Sequence, residues 1–250
     1  MRLTNFIIGC IVLTLTILPL NSSLASIGEV TLHEGNAAID RQDGEKGIVV
    51  EKDLDIFSYD TVKTGNGKVG IEFVDDTRVD VTQHSKLLID DFVYDPNTKT
   101  GKLSLKATLG TVRYASGQIA KNSATNVKIT TPTATIGVRG TDFTMTIDEV
   151  GSSTIILLPS CDTNGSCFVG EISVESDAGQ VILNQAFQAT VVDTVATRPL
   201  TPVTLDLDED MINNLLIISK PAEIEQMQNE EGLNEVADAL DIDFLQFDDL

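Results

Sequence analysis

Apolar residues recur at every second position through most of the span between Gly28 and Val192. Val69, Ile71 and Phe73 form one such run, Val79 and Val81 the next, and Asp75-Asp76-Thr77 between them has the composition of a turn. Leu103, Leu105 and Ala107 alternate with Lys102, Ser104 and Lys106, and Gly110 separates them from Val112 and Tyr114. Val127 and Ile129 alternate with Lys128 and Thr130, and Phe143, Met145 and Ile147 with Thr144 and Thr146. A period of two places one face of an extended strand in a core and the other in water. The run Thr154-Ile155-Ile156-Leu157-Leu158 is short and apolar on both faces, which predicts a strand buried on both sides. Polar clusters at 40–47, 95–101 and 176–179 carry the Gly, Pro, Asn and Asp of hairpin turns. The pattern predicts a mainly β protein of packed antiparallel sheets.

The two ends of the chain follow other rules. Arg2, an apolar run from Phe6 to Leu20 and the small polar exit Asn21-Ser22-Ser23-Leu24-Ala25 have the order of a secretory signal, so 1–25 is expected to be a signal peptide. Residues 26–193 then form the β-domain. Pro199 and Pro202 make 194–204 read as a linker. From Leu205 to Leu250 there are 14 acidic residues and one basic, with Met211, Ile212, Leu215, Leu216 and Ile218 near helical spacing and Val236, Leu240, Phe244 and Phe247 on a second such course. This predicts a short acidic helical tail, docked either on its own domain or on a partner.

Charge narrows the function. The whole chain carries a formal charge of -21, which opposes nucleic acid and anionic membrane surfaces as partners. The absence of tryptophan and an aromatic content of 5% leave a core to be built from aliphatic residues. With Cys10 in the leader, Cys161 and Cys167 remain as a close pair around the turn-forming Asp162-Thr163-Asn164-Gly165-Ser166, which predicts a disulfide at a hairpin tip. The spacing is not CxxC and no histidine is near, so a redox or metal role finds little support.

Catalytic constellations are sparse. Gly65-Asn66-Gly67-Lys68-Val69-Gly70 satisfies G-x-G-x-x-G but leads into a strand pattern, whereas a dinucleotide site needs a helix there. Asp206, Asp208 and Asp210 open like a calcium loop, yet Met211 and Ile217 stand where glycine and glutamate belong. His33 and His84 have no nucleophile beside them, and Asp75-Asp76 and Asp90-Asp91 are expected to be solvated turn carboxylates. No catalytic, cofactor-binding or metal residue is expected. The densest local constraint is 127–147, read as two strands joined through the corner Thr131–Thr141. Pro132 cannot donate to a ladder, Gly137 and Gly140 permit a bend, and the guanidinium of Arg139 is expected to tie the corner to a nearby aspartate or carbonyl.

These residues carry a resemblance. Thr131-Pro132, Ala134, Ile136-Gly137-Val138 and Arg139-Gly140-Thr141-Asp142-Phe143 resemble the hallmark of FecR-type extracytoplasmic domains, and Tyr59-Asp60-Thr61-Val62-Lys63-Thr64-Gly65 resembles their upstream pattern. Weaker similarity extends from about Gly28 to Val192. The loop between Cys161 and Cys167 resembles an insertion, and Asn184-Gln185-Ala186-Phe187 stands where the family often has a glycine. The resemblance implies a non-catalytic periplasmic or secreted β-module that acts through protein contacts. In full-length regulators it relays signals from TonB-dependent outer-membrane receptors during iron-complex uptake; this sequence shows no second apolar span. The expected partner is an envelope protein such as a receptor signalling domain, and the competing expectation is a structural scaffold of the cell envelope.

Overall fold

In a computed structural model, the described residues are 25–123, 125–161 and 166–206. The expected signal peptide and the helical tail beyond Asp206, with Asp208 and Asp210, lie outside them.

The strands are short and follow the two-residue period. They are β1 (Gly28–Glu34), β2 (Ala37–Asp40), β3 (Ile48–Val49), β4 (Asp55–Ile56), β5 (Thr61–Thr64), β6 (Lys68–Phe73), β7 (Arg78–Val81) and β8 (Lys86–Asp95). The long β9 (Thr100–Ala115) and a short helix, α1 (Gln118–Asn122), lead to β10 (Val127–Thr130), β11 (Thr135–Arg139), β12 (Asp142–Ile147) and β13 (Ser153–Leu158). The remaining described elements are β14 (Ser160–Cys161), β15 (Cys167–Phe168), β16 (Glu171–Ser176), β17 (Gly179–Leu183), β18 (Gln188–Val192) and β19 (Val203–Thr204).

Two sheets share one strand. The first runs β4-β1-β6-β7-β9-β12-β13-β18-β19. The second runs β3-β2-β5-β8-β9-β10-β11-β16-β17. β9 belongs to both because it changes sheets at Gly110, where φ is +79° and a Cβ would lie 2.1 Å from Ser85 Oγ. An ordinary side chain has no room in that kink and would be strained in its backbone conformation. Residues before Gly110 pair with β8 and β10, and residues after it with β7 and β12.

The inward residues of both sheets form one core of mainly Val, Ile and Leu. Four aromatic residues join it. Phe73 of the first sheet stacks on Phe92 of the second at 5.3 Å between ring centroids, and Tyr114 lies 5.4 Å from Phe143. The pairing of β9 with β10 is parallel and therefore needs a crossover, which α1 supplies. Ile119 and Ala120 of α1 are buried.

Several expectations change on this framework. The corner 131–141 contains a strand of its own, β11, so the stretch 127–147 is three strands rather than two. Asp75 is buried, not solvated: its carboxylate accepts the Ile119 and Thr77 N–H groups at 3.1 and 3.2 Å and the Thr77 hydroxyl at 2.9 Å. The turn thereby caps α1 through a charged acceptor. Residues 194–204, expected as a linker, fold back along β18. Leu200 N–H donates to Val191 O, Thr190 Oγ1 to Leu200 O, and Val203 and Thr204 pair with Ala189 and Gln188. Proline is compatible with such an edge, since its missing N–H need not feed a central ladder.

Candidate interaction surface

The hallmark residues lie where the chain passes between the sheets. β10 and β11 form a hairpin in the second sheet, closed by Thr131-Pro132-Thr133-Ala134. Thr131 Oγ1 accepts the Ala134 N–H at 3.0 Å and the Ser153 hydroxyl at 2.8 Å; Thr133 Oγ1 donates to Gly151 O at 3.1 Å. All three hydroxyl-bearing residues are buried. They join this hairpin to the turn between β12 and β13, whose Gly151 fits against Pro132.

The second half of the motif makes the crossing itself. β11 belongs to the second sheet and β12 to the first, with only Gly140 and Thr141 between them. Gly140 has φ +56°, and a Cβ on Gly170 would lie 2.3 Å from Gly140 O, so two backbones meet without side chains between them. Thr141 is fully buried: its N–H donates to Ser116 Oγ at 2.9 Å, Ser116 Oγ donates to Thr141 O at 2.7 Å, and Gly170 N–H donates to Thr141 Oγ1 at 3.3 Å. Phe143 is in the core against Tyr114. Gly137 lies in β11 opposite Ser173. Hydroxyls and glycines thus hold the backbone of the motif.

Arg139 departs from its expected role. Its side chain is 73% exposed, and its contact is a 3.8 Å ion pair with Glu171, its cross-strand partner on β16. An exposed pair at that distance contributes little to stability. The buried arginine nearby is Arg113, which pairs with Asp142 at 3.4 Å and stands opposite Asp80 on β7. Asp142 also accepts Ser160 Oγ at 2.7 Å. Nothing in the alternation around Val112 and Tyr114 distinguishes Arg113 from a solvated outer-face residue, so its pairing is legible only once β7, β9 and β12 are side by side.

Ser160 begins the predicted hairpin. β14 and β15 form a separate two-stranded ribbon in which Cys161 and Cys167 are directly opposed and joined by a disulfide, with Cα atoms 4.0 Å apart. Beyond the cysteine, Phe168 is 54% exposed and Val169 is also exposed, immediately before Gly170 packs against Gly140. The crossing therefore presents an apolar pair and the Arg139–Glu171 ion pair on a base of buried hydroxyls, a buried salt bridge and a disulfide.

The other candidate groups do not converge on this place. His33 is on β1 opposite Val69, and His84 is in the connection between β7 and β8. Gly65–Gly70 is a turn entering β6, where a Cβ on Gly67 would lie 2.5 Å from Glu34 O. Asp90 and Asp91 stand on β8, bonded to Ser104 and Lys102. Asp60 is buried between β4 and β5; desolvation pushes its carboxyl above the usual carboxylate range, against the Phe57 N–H it accepts and the nearby Arg41 charge. Burial likewise pushes the Tyr114 phenol up. Among the described residues no group of three or more His, Cys, Asp or Glu is placed to hold a metal ion, and no helix is long and apolar enough to cross a membrane.

Comparison with known proteins adds a family. Residues 60–158, which run from the start of β5 to the end of β13, match the family described as FecR protein. No curated protein matches the chain. Among solved structures, a cell surface anchoring domain is 33% identical over 25% of this chain and 82% of its own, with a TM-score of 0.24. Two crystal structures of a protein described as a candidate anti-sigma factor from Parabacteroides distasonis ATCC 8503 are each 9% identical over 56% of this chain and 57% of theirs, with TM-scores of 0.41 and 0.40. The chain therefore spans little more than half the length of those two structures. The matched span contains both the Tyr59-Asp60 strand entry from its second residue and the complete Thr131–Phe143 motif, and by these features residues 60–158 are a FecR-type domain.

Proposed function

We propose that this protein is an exported, non-catalytic module that binds a protein partner in the cell envelope, in regulatory signalling linked to TonB-dependent transport, and that the contact is made at the sheet crossing. The observation that carries this reading is the exposure of Phe168, Val169 and Arg139 on a base that is itself rigidly bonded. Aromatic and arginine side chains are enriched among the few residues that carry most of the energy of protein interfaces. The disulfide beneath them fits an oxidising compartment. FecR-type regulators supply the role: they relay the state of an outer-membrane receptor.

The test is capture of envelope proteins on the immobilised chain from Ser26 to Leu250. Recovery of a receptor signalling domain, lost with Phe168→Ser and with Arg139→Glu, is the expected result. Recovery only of further copies of this chain makes it a scaffold instead. Capture that both substitutions leave intact moves the contact away from the crossing.

A further inference from the structure

At the far edge of both sheets the molecule has an open groove of about 360 Å³, lined by Gln180, Val181 and Ile182 of β17 and by Arg198, Pro199, Thr201 and Pro202. Its lining mixes apolar side chains with those of Gln180, Arg198 and Thr201. Ile182 is 41% exposed and Leu200, on the adjoining segment, 55% exposed. The groove is built, not incidental: Arg198 donates to Gln180 O at 3.3 Å, Ser176 Oγ donates to Thr197 O at 2.7 Å and Asp177 N–H to Val195 O at 3.0 Å, which hold the 195–198 segment against the turn before β17. Arg198 is the single charged side chain in the lining.

We propose that residues 211–218 of this same chain dock in this groove, with the acidic residues just before them facing Arg198. Four observations select this occupant. The run Met211-Ile212-Asn213-Asn214-Leu215-Leu216-Ile217-Ile218 is apolar at helical spacing, so one face of a helix would seek cover. It is preceded by Asp206, Asp208, Glu209 and Asp210, opposite in sign to the one charge of the groove. The last described residues fix where the tether starts: Val203 and Thr204 pair with β18, and Leu205 N–H donates to Phe187 O at 3.0 Å, three residues past Pro202 of the lining. Pro202 in the lining is four residues before Asp206, and Met211 five after it, so roughly 17 Å of chain suffices to return to the groove.

A tether this short sets the competition. It holds the segment at an effective concentration on the order of millimolar, well above that of any free partner of similar affinity. The groove is then covered by the protein's own chain. Docking here does not depend on what the crossing binds.

The experiment places a photoreactive benzoylphenylalanine at Ile182 of the full chain, irradiates across a wide dilution series and maps the products by mass spectrometry. Cross-links within one chain to peptides from 207–220, at a yield independent of concentration, are expected. Leu215→Asp combined with Leu216→Asp lowers that yield by about tenfold or more, the loss of two buried leucines. Cross-links only between chains assign the groove to a second copy and overturn the proposal. So do cross-links to other segments, or a yield that the double substitution leaves unchanged.

Discussion

Two threonines and a serine, Thr131, Thr133 and Ser153, share their hydroxyls in a buried cluster, and the Ser116 hydroxyl bonds both the N–H and the carbonyl of buried Thr141. Removing one member leaves its neighbours' donors and acceptors unsatisfied, which costs more than the bond itself contributes. Ser153→Ala is therefore expected to lower stability by about 1–3 kcal/mol, read from the denaturant midpoint. Arg139→Ala, by contrast, removes a side chain in water and one long ion pair, and is expected to change stability by less than about 0.5 kcal/mol in the same assay. A large loss would return Arg139 to the corner-tying role its position in the motif suggests. Asp60 gives a pH signature. Its raised pKa means that the folded state holds the proton more tightly than the unfolded state, so its stabilising contribution is present at low pH and lost as pH rises through the folded value. Asp60→Asn removes that loss, and its melting temperature relative to the parent is expected to climb between about pH 3 and about pH 7. A difference that falls over this range would contradict desolvation as the dominant influence.

At the scale of elements, three of the crossings between the sheets are made by special short segments. Gly110 turns β9, Gly140-Thr141 joins β11 to β12, and the disulfide ribbon occupies the passage from β13 to β16. The ribbon stands apart from both sheets and the core residues do not include it. Replacing Cys161 and Cys167 together by alanine is expected to cost about 2 kcal/mol from loop entropy, while near-ultraviolet circular dichroism from the buried Tyr114 stays unchanged. Loss of that signal would mean the ribbon completes the core. The helix α1 shows a different logic. Five residues are too few for a hydrophobic period to show, and the element exists because Asp75 and Thr77, more than forty residues earlier, accept its first N–H groups.

At the scale of the molecule, the FecR match ends at Leu158 but the sheets do not. Strands before β5 and after β13 extend both edges, and residues 194–206 seal β18. Truncation after Asp206 is expected to leave the melting temperature within a few degrees of the parent. Truncation after Asp193 strips β19 and the Leu200 and Leu205 bonds from the edge, and is expected to lower it clearly or to aggregate through the bared strand. Equal stability of the two would restore the linker reading of 194–204.

The sequence by itself determined the strands, because a two-residue period is local: Val69-Ile71-Phe73 and Phe143-Met145-Ile147 face inward with no knowledge of what they meet. It determined the family motif and the disulfide pair for the same reason, since both are short and contiguous. Tertiary structure alone decided which side chains of the motif hold it together. Arg139 and Arg113 look alike in sequence, yet one is solvated and the other lies between β7 and β12, because burial depends on strand neighbours distant in the chain. The turn at Asp75 and the returning edge at Leu200 follow the same rule. Their polar groups look solvated or their prolines look like a linker until a remote strand or helix supplies the missing hydrogen-bond partner.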